Sequence, residues 1–361
     1  MASNSFGSVF RITTWGESHG PAIGCVIDGC PSGIEISPQE IEQALARRAS
    51  GRNQFVSERT ESDTVEIVSG VFEGKTTGCP VSIIIKNTDA DSSKYEPIKD
   101  LYRPGHANFT YLHKYGIFDY RGGGRSSARE TVVRVAAGAI ADKILQKEGI
   151  QVVAFLRSVG PIECITSGDE GLEEKVSRSL LFCPDSAIEA KMMQEILQAK
   201  ADGDSLGGVV ECVAFNVPIG LGDPVYDKIQ ARLAYGMMSL PAAKGFEIGH
   251  GFSASRLKGS EHNDGYYLQD DKTRLLSNHS GGVLAGITTG EPLYFRVAFK
   301  PTSSIKKEQK TVDLEGQERA FSLPEGSRHD PCVAVRAVPV VEAMCRLVLV
   351  DAFLSNNKSF N

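Results

Sequence analysis

An eleven-residue pattern occurs twice in this chain. Gly70-Val71-Phe72-Glu73-Gly74-Lys75-Thr76-Thr77-Gly78-Cys79-Pro80 returns as Gly282-Val283-Leu284-Ala285-Gly286-Ile287-Thr288-Thr289-Gly290-Glu291-Pro292, with seven of eleven positions identical at an offset of 212. Each copy runs into an alternating stretch, Val81 to Ile85 and Leu293 to Phe299, the period-2 signature of a half-buried strand. A weaker echo sets Cys30-Pro31-Ser32-Gly33-Ile34 against Val217-Pro218-Ile219-Gly220-Leu221, each leading into a helix. This repetition predicts one domain over residues 1-361, built from two related halves at about 6-150 and 205-354. Chance likeness between Gly/Thr-rich turns is the alternative.

Local signals fill in the halves. Val9 to Thr13 and Ala22 to Ile27 read as strands, the second closed by a turn from Asp28 to Gly33. Ser37, Pro38 and Glu40 form a helix start, with a cap, a proline at the first helical position and capping-box spacing. Ile41, Ala44 and Leu45 make that helix's inner face, with Arg47 and Arg48 at its end. Ser127 and Glu130 repeat the capping-box spacing before a stretch that is apolar on most of its circumference, which predicts an interior helix. Pro339 is expected to start a last apolar helix. Helices and strands are both plentiful but do not alternate as βαβ units, so the predicted class is α+β.

Bulk properties limit the partners. The 361 residues are 41% hydrophobic and carry a formal charge of −6, so no global field draws nucleic acid or an anionic membrane. Any anion site has to come from locally clustered Arg and Lys. Eight cysteines are scattered with no Cys-x-x-Cys and no Cys/His zinc spacing, which predicts reduced thiols and no metal. No run approaches the ~18 apolar residues of a membrane span. No basic-then-apolar leader opens the sequence, and the expected location is cytoplasmic.

Three segments stand out chemically. Trp15-Gly16-Glu17-Ser18-His19-Gly20 sets an imidazole beside a hydroxyl and a carboxylate between glycines. Arg103-Pro104-Gly105-His106 offers a second Gly-flanked histidine. Arg121-Gly122-Gly123-Gly124-Arg125-Ser126-Ser127 leads through Arg129 into the capped helix; unpaired N–H groups at a helix start, with arginines around them, suit a phosphate or carboxylate. The same run also suits a flexible loop or an RNA-contacting stretch, although the acidic balance argues against RNA. Lys300-Pro301-Thr302-Ser303-Ser304 suits a phosphate or a flavin edge, or is a plain strand exit. Arg328-His329-Asp330-Pro331, with Arg336, gathers arginines, an imidazole and a carboxylate before the last helix, either as an ion-paired turn or as a held catalytic carboxylate.

Together these segments resemble the chorismate synthase family. The matches are Gly16 to Gly20, Arg103 to Ala107, Gly123 to Thr131, Lys300 to Ser304 and Arg328 to Pro331, and the likeness runs over about residues 6 to 354. The resemblance implies a lyase that makes chorismate from 5-enolpyruvylshikimate 3-phosphate by 1,4-anti elimination of phosphate and a ring proton. It implies a requirement for reduced FMN and a place at the end of the shikimate pathway toward aromatic amino acids. NADPH is expected to act only indirectly, as reductant of the flavin, since no separate nicotinamide-binding unit is visible.

By motif, the resemblance makes His19 the acid for departing phosphate with Ser18 beside it. His106 would stabilise or protonate the reduced flavin, and Asp330 would sit near its N5 and help relay the proton. Arg125, Ser126, Ser127, Pro241, Ala242, Ala285, Lys300, Pro301, Thr302, Ser303, Ser304 and Arg328 would bind FMN. Arg48, Arg103 and Arg129 would hold the substrate's anions, with Arg47, Arg52 and Arg336 as further candidates. The implied fold is a β-α-β sandwich with an internal pseudo-twofold, helices between two antiparallel sheets, assembled as a homotetramer. Three positions depart from the family's pattern: Asn108 where an acid is usual, Gln54 where arginine is frequent, and Pro241 where asparagine is frequent.

Overall fold

Alternation builds the sheets. Along Leu293–Phe299 every second side chain is buried, and Val81, Ile83 and Ile85 turn inward from Val81–Lys86 in the same way, as strands with one covered face do. A computed structural model describes residues 3–57, 61–89, 91–165, 171–324 and 326–356. The first sheet holds β1 (Ser5–Phe6), β2 (Arg11–Gly16), β3 (Ala22–Asp28) and β4 (Val65–Ser69), then, after the hairpin of β5 (Val71–Phe72) and β6 (Lys75–Thr76), β7 (Val81–Lys86). Its spatial order is β1-β2-β3-β7-β4.

The second sheet holds β8 (Gln151–Val159), β9 (Ile162–Glu163), β10 (Gly208–Phe215) and β11 (Ala243–Ile248). Two hairpins follow, β12 (Tyr266–Gln269) with β13 (Lys272–Leu275) and β14 (Val283–Leu284) with β15 (Ile287–Thr288), before β16 (Leu293–Phe299) completes it. Its order is β11-β16-β10-β8-β9. Taking β8 with β2, β10 with β3, β11 with β4 and β16 with β7, four strands stand in the same relative order in both sheets. All these pairings are antiparallel, with Cys25 opposite Ile83 in one sheet and Cys212 opposite Phe295 in the other. A last hairpin, β17 (Gln309–Val312) with β18 (Glu318–Phe321), stands outside them.

Both copies of the repeated pattern make the same local structure. Thr76 Oγ1 donates to Pro31 O at 2.6 Å and accepts from Ile34 N at 2.9 Å. Thr288 Oγ1 donates to Pro218 O at 2.6 Å and accepts from Leu221 N at 2.9 Å. Glu73-Gly74 and Ala285-Gly286 turn their hairpins with positive φ at both residues, the pattern of a type I′ turn. The shared threonine thus ties each hairpin to its Pro-x-Gly segment.

Eight α-helices accompany the sheets among the described residues. They are α1 (Pro38–Arg48), α2 (Asn108–Tyr115), α3 (Thr131–Lys147), α4 (Leu172–Arg178), α5 (Ser186–Ala201), α6 (Ile229–Met238), α7 (Gly259–His262) and α8 (Val333–Asn356). Helices α1 and α3 pack on the first sheet, α6 and α8 on the second, and α3 packs along α8. The molecule is α+β in three layers. Helix α3 is apolar nearly all round because it is covered on most sides, as the sequence predicts. At its crossing with α8, a Cβ on Gly138 would stand 2.6 Å from that of Ala343, so the absent side chain sets the interhelical distance.

Two helix starts differ from expectation, and the strand expected over Val9 to Thr13 runs over Arg11–Gly16. The box at α1 forms, with Glu40 N donating to Ser37 Oγ and Ser37 N to the Glu40 carboxylate. The box at α3 does not. Ser127 Oγ caps Arg129 N instead, one 3-10 turn intervenes, and the Glu130 carboxylate is taken by Arg134 at 2.7 Å. The last helix begins at Val333, before Pro339, which lies inside it. Pro339 forfeits one helical hydrogen bond, and burial of α8 along most of its length outweighs that loss.

Candidate active site

The loops at one end of the sandwich close around a cavity of about 420 Å3. The β2–β3 turn brings Ser18 and His19, the end of α1 brings Arg48, and the N-terminal ends of α3 and α8 bring Arg129 and Arg336. Two helix starts facing one cavity add partial positive charge to that of the side chains. Six cationic residues line it, Arg48, Arg103, Arg129, Arg328, Arg336 and Lys300, against two carboxylates, Glu61 and Asp330.

Three of the arginines are buried, which this side chain tolerates only when its donors are used. Arg48 donates to Thr131 Oγ1 at 2.9 Å and Ala128 O at 2.7 Å, with Asp63 at 3.9 Å. Burial, then the neighbouring Arg336, push Arg48 down to about 9. A guanidinium stays protonated under such pressure. Arg103 donates to Gly122 O and Ser304 Oγ, both at 3.2 Å, and lies over the Tyr95 ring. Arg129 donates to Asn87 Oδ1, Asp63 and Lys86 O; its donors are largely held by the protein.

The titratable groups are fixed as firmly. Asp330 accepts from Ser57 N and from Arg336, each at 2.8 Å. His19 Nδ1 meets Ser92 Oγ at 2.9 Å. Burial, then the charges of Arg103, His329 and Lys300, drive His106 down to about 3, so the ring is neutral at neutral pH. Close approach of the loops depends on two glycines. A Cβ on Gly122 (φ +71°) would stand 2.5 Å from His19 Cδ2. One on Gly105 (φ +66°) would stand 3.0 Å from Ser303 Cβ.

Ser126, Ser127, Pro241, Ala242, Thr302, Ser303 and Ser304 also line the cavity. Five expected residues do not. Arg125 turns to β2, donating to Gly16 O, Thr14 O and Thr14 Oγ1. Arg47 is bidentate to buried Glu342 at 2.6 and 3.0 Å. Arg52 donates to Leu180 O and stacks on Phe182. Pro301 packs on Gly207, and Ala285 sits in the β14–β15 turn. The three arginines each have an internal partner that turns them away. Sequence reading passed over Glu61 and Tyr95 in the wall and gave His329 no role of its own, and it passed over Ser92 and Asp63 behind the wall. Burial, then Arg103, lower His329 to about 4. His329 sat inside a recognised motif; the others carried no local signal. Among the described residues no cluster suits a metal ion.

The family model for chorismate synthase matches residues 10–354. A chorismate synthase from Protochlamydia amoebophila (strain UWE25) is 59% identical over 360 residues, 98% of each chain. The chain belongs to the chorismate synthase family. A relative from Archaeoglobus fulgidus is 50% identical over 351 residues, 97% of each chain. A crystal structure of a chorismate synthase, 33% identical, superposes with a TM-score of 0.77 over 97% of this chain and 93% of that one.

The three departures have structural readings in this member of the chorismate synthase family. Asn108 Oδ1 accepts from Arg103 N at 3.1 Å while its Nδ2 donates to Leu101 O at 2.8 Å, a double role that a carboxylate lacks. Gln54 lies off the cavity, as does Arg52, which is turned to Phe182. Pro241 lines the cavity with its ring, beside Ala242 at φ +66°.

Proposed function

We propose that this enzyme forms chorismate by 1,4-anti elimination of phosphate and a ring proton from 5-enolpyruvylshikimate 3-phosphate, with reduced FMN, as the last step of the shikimate pathway. One observation carries the reading: six cations face two carboxylates around a cavity that also holds His19 and His106. A phosphorylated dicarboxylate meets that need. Ser18 Oγ, His106 Nδ1 and Thr302 Oγ1 are buried without a hydrogen-bond partner, which fits a second, polar-edged ligand such as a flavin. Lys300, Thr302 to Ser304, Ser126, Ser127 and Arg328 would hold it. Reduced FMN, when bound, supplies electron density to the substrate as phosphate leaves, with no net redox change.

The chain's own residues do the rest. Arg48, Arg103 and Arg336 hold the substrate's anions, with Arg129 bracing them. His19 gives a proton to the departing phosphate oxygen as the carbon–oxygen bond breaks with its electron pair. Asp330, held in place by Arg336 and Ser57 N, takes the ring proton onward. His106, neutral, offers a hydrogen bond without adding charge. Fixed cations stabilise charge that develops only as the bond breaks.

The two sheets with one strand order, and the repeated threonine-tied hairpin, support a single domain of two related halves with a pseudo-twofold. Homotetramer assembly, a cytoplasmic location and indirect use of NADPH complete the proposal. Among the described residues no helix is long and apolar enough to cross a membrane. Anaerobic mixing of the protein with reduced FMN and 5-enolpyruvylshikimate 3-phosphate is expected to produce chorismate absorbance. Folded protein without it sinks the proposal; phosphate release without flavin points to a phosphatase instead. Under the same conditions His19→Ala is expected to lower turnover roughly 10²–10⁴-fold.

A further inference from the structure

One contact behind the cavity wall has no part in the chemistry above. Ser92 precedes the 3-10 turn Ser93–Ile98, and its hydroxyl oxygen lies 2.9 Å from Nδ1 of His19. Tyr95, on that turn, stands edge-on to the imidazole, with centroids 5.2 Å apart and planes at 88°. Arg103 lies 5.4 Å from the centre of the Tyr95 ring. Against the imidazole, Gly122 leaves no space: a Cβ there would come within 2.5 Å of Cδ2 and 2.7 Å of Nε2. Nδ1 is therefore held by Ser92, and the ring is flanked by Tyr95 and by the backbone of Gly122.

The partner on Nδ1 decides more than orientation. A neutral imidazole has two tautomers, and the hydrogen bond made by one nitrogen sets which proton the other carries. A hydroxyl can serve as acceptor or donor. A carboxylate in its place would orient the ring but also stabilise the imidazolium strongly, which weakens it as an acid. A neutral hydroxyl orients the ring with far less of that effect.

We propose that Ser92 is a positioning residue for His19: its Oγ accepts from Nδ1–H in both charge states, so the proton exchanged with a ligand in the cavity is the one on Nε2. The inference rests on His19 being the acid for departing phosphate. In that step the Nε2 proton passes to the phosphate oxygen as the carbon–oxygen bond breaks. The ring is left neutral with its remaining proton on Nδ1, still donated to Ser92.

The test uses the full chain with 15N-labelled histidine, His19 being assigned by the signal lost in His19→Ala. Neutral His19 is expected as the Nδ1–H tautomer in the unsubstituted protein and in Ser92→Thr. Ser92→Ala is expected to shift it toward the Nε2–H form that free imidazole prefers. Turnover in Ser92→Ala is expected to fall roughly 10–10²-fold with KM changed about twofold or less, because orientation rather than binding is lost. Ser92→Thr is expected to restore most of it. A tautomer that ignores Ser92→Ala overturns the inference. A tautomer that follows the substitution while turnover does not overturns instead the assignment of His19 as the acid, and with it the catalytic meaning of the contact.

Discussion

Two residues that shape the cavity do so by having no side chain. Gly122 and Gly105 take positive φ and let neighbouring loops come within contact of His19 and Ser303. Gly122→Ala puts a methyl where the imidazole lies, in a conformation alanine resists. Turnover is expected to fall roughly 10²-fold, the scale for a displaced catalytic group, with a smaller change in the denaturant midpoint; unchanged turnover would separate His19's position from the chemistry. His106 and His329 carry a pH signature. Their folded values of about 3 and about 4 lie below the ordinary 6.5. The unfolded chain therefore binds more protons over that range, and stability falls as pH drops from about 6.5 toward 4. His106→Gln and His329→Gln are each expected to flatten the urea midpoint against pH across that window, by up to about one proton's worth of slope. An unchanged slope would mean that the rings are not buried neutral. At this scale the sequence was readable wherever chemistry sat in a short motif: Ser18, His19, Arg103, His106 and Asp330 all stand at the cavity or its wall. Ser92 was not, because a serine gains meaning only from a contact made across 73 residues.

At the scale of elements, the crossing of α3 and α8 bears the most weight, because it joins the sheets and aims both helix starts at the cavity. Gly138 permits it, with Ala343 opposite. Gly138→Val overpacks that point and is expected to cost roughly 1–3 kcal/mol, read as a lower denaturant midpoint with unchanged m-value. A midpoint within error of the unsubstituted protein would show that the helices are free to move apart. Elements with local determinants were legible: the Ser37 box, the alternating strands, the all-apolar α3. Those decided by competition were not. Glu130 had two partners within reach and took Arg134, while Pro339 was carried inside α8 by the burial around it.

For the whole molecule, one hydrophobic core runs from β3 and β7 through α3 and α8 to β10 and β16. Nothing in that core separates the first half from the second. Thermal unfolding is therefore expected as a single transition by calorimetry and by circular dichroism together; two resolved transitions would mean that the halves fold as separate domains. The sequence by itself determined the family, the α+β class, the doubled hairpin and the motif residues, because each of these is written in short-range patterns of glycine, alternation and charge. Only the tertiary structure decided which arginines face the cavity. Arg47 and Arg48 are neighbours in sequence, yet one is bound to Glu342 and the other lines the site. Their directions follow from the turn of a helix and from distant carboxylates, and those distances exist only once the chain has folded.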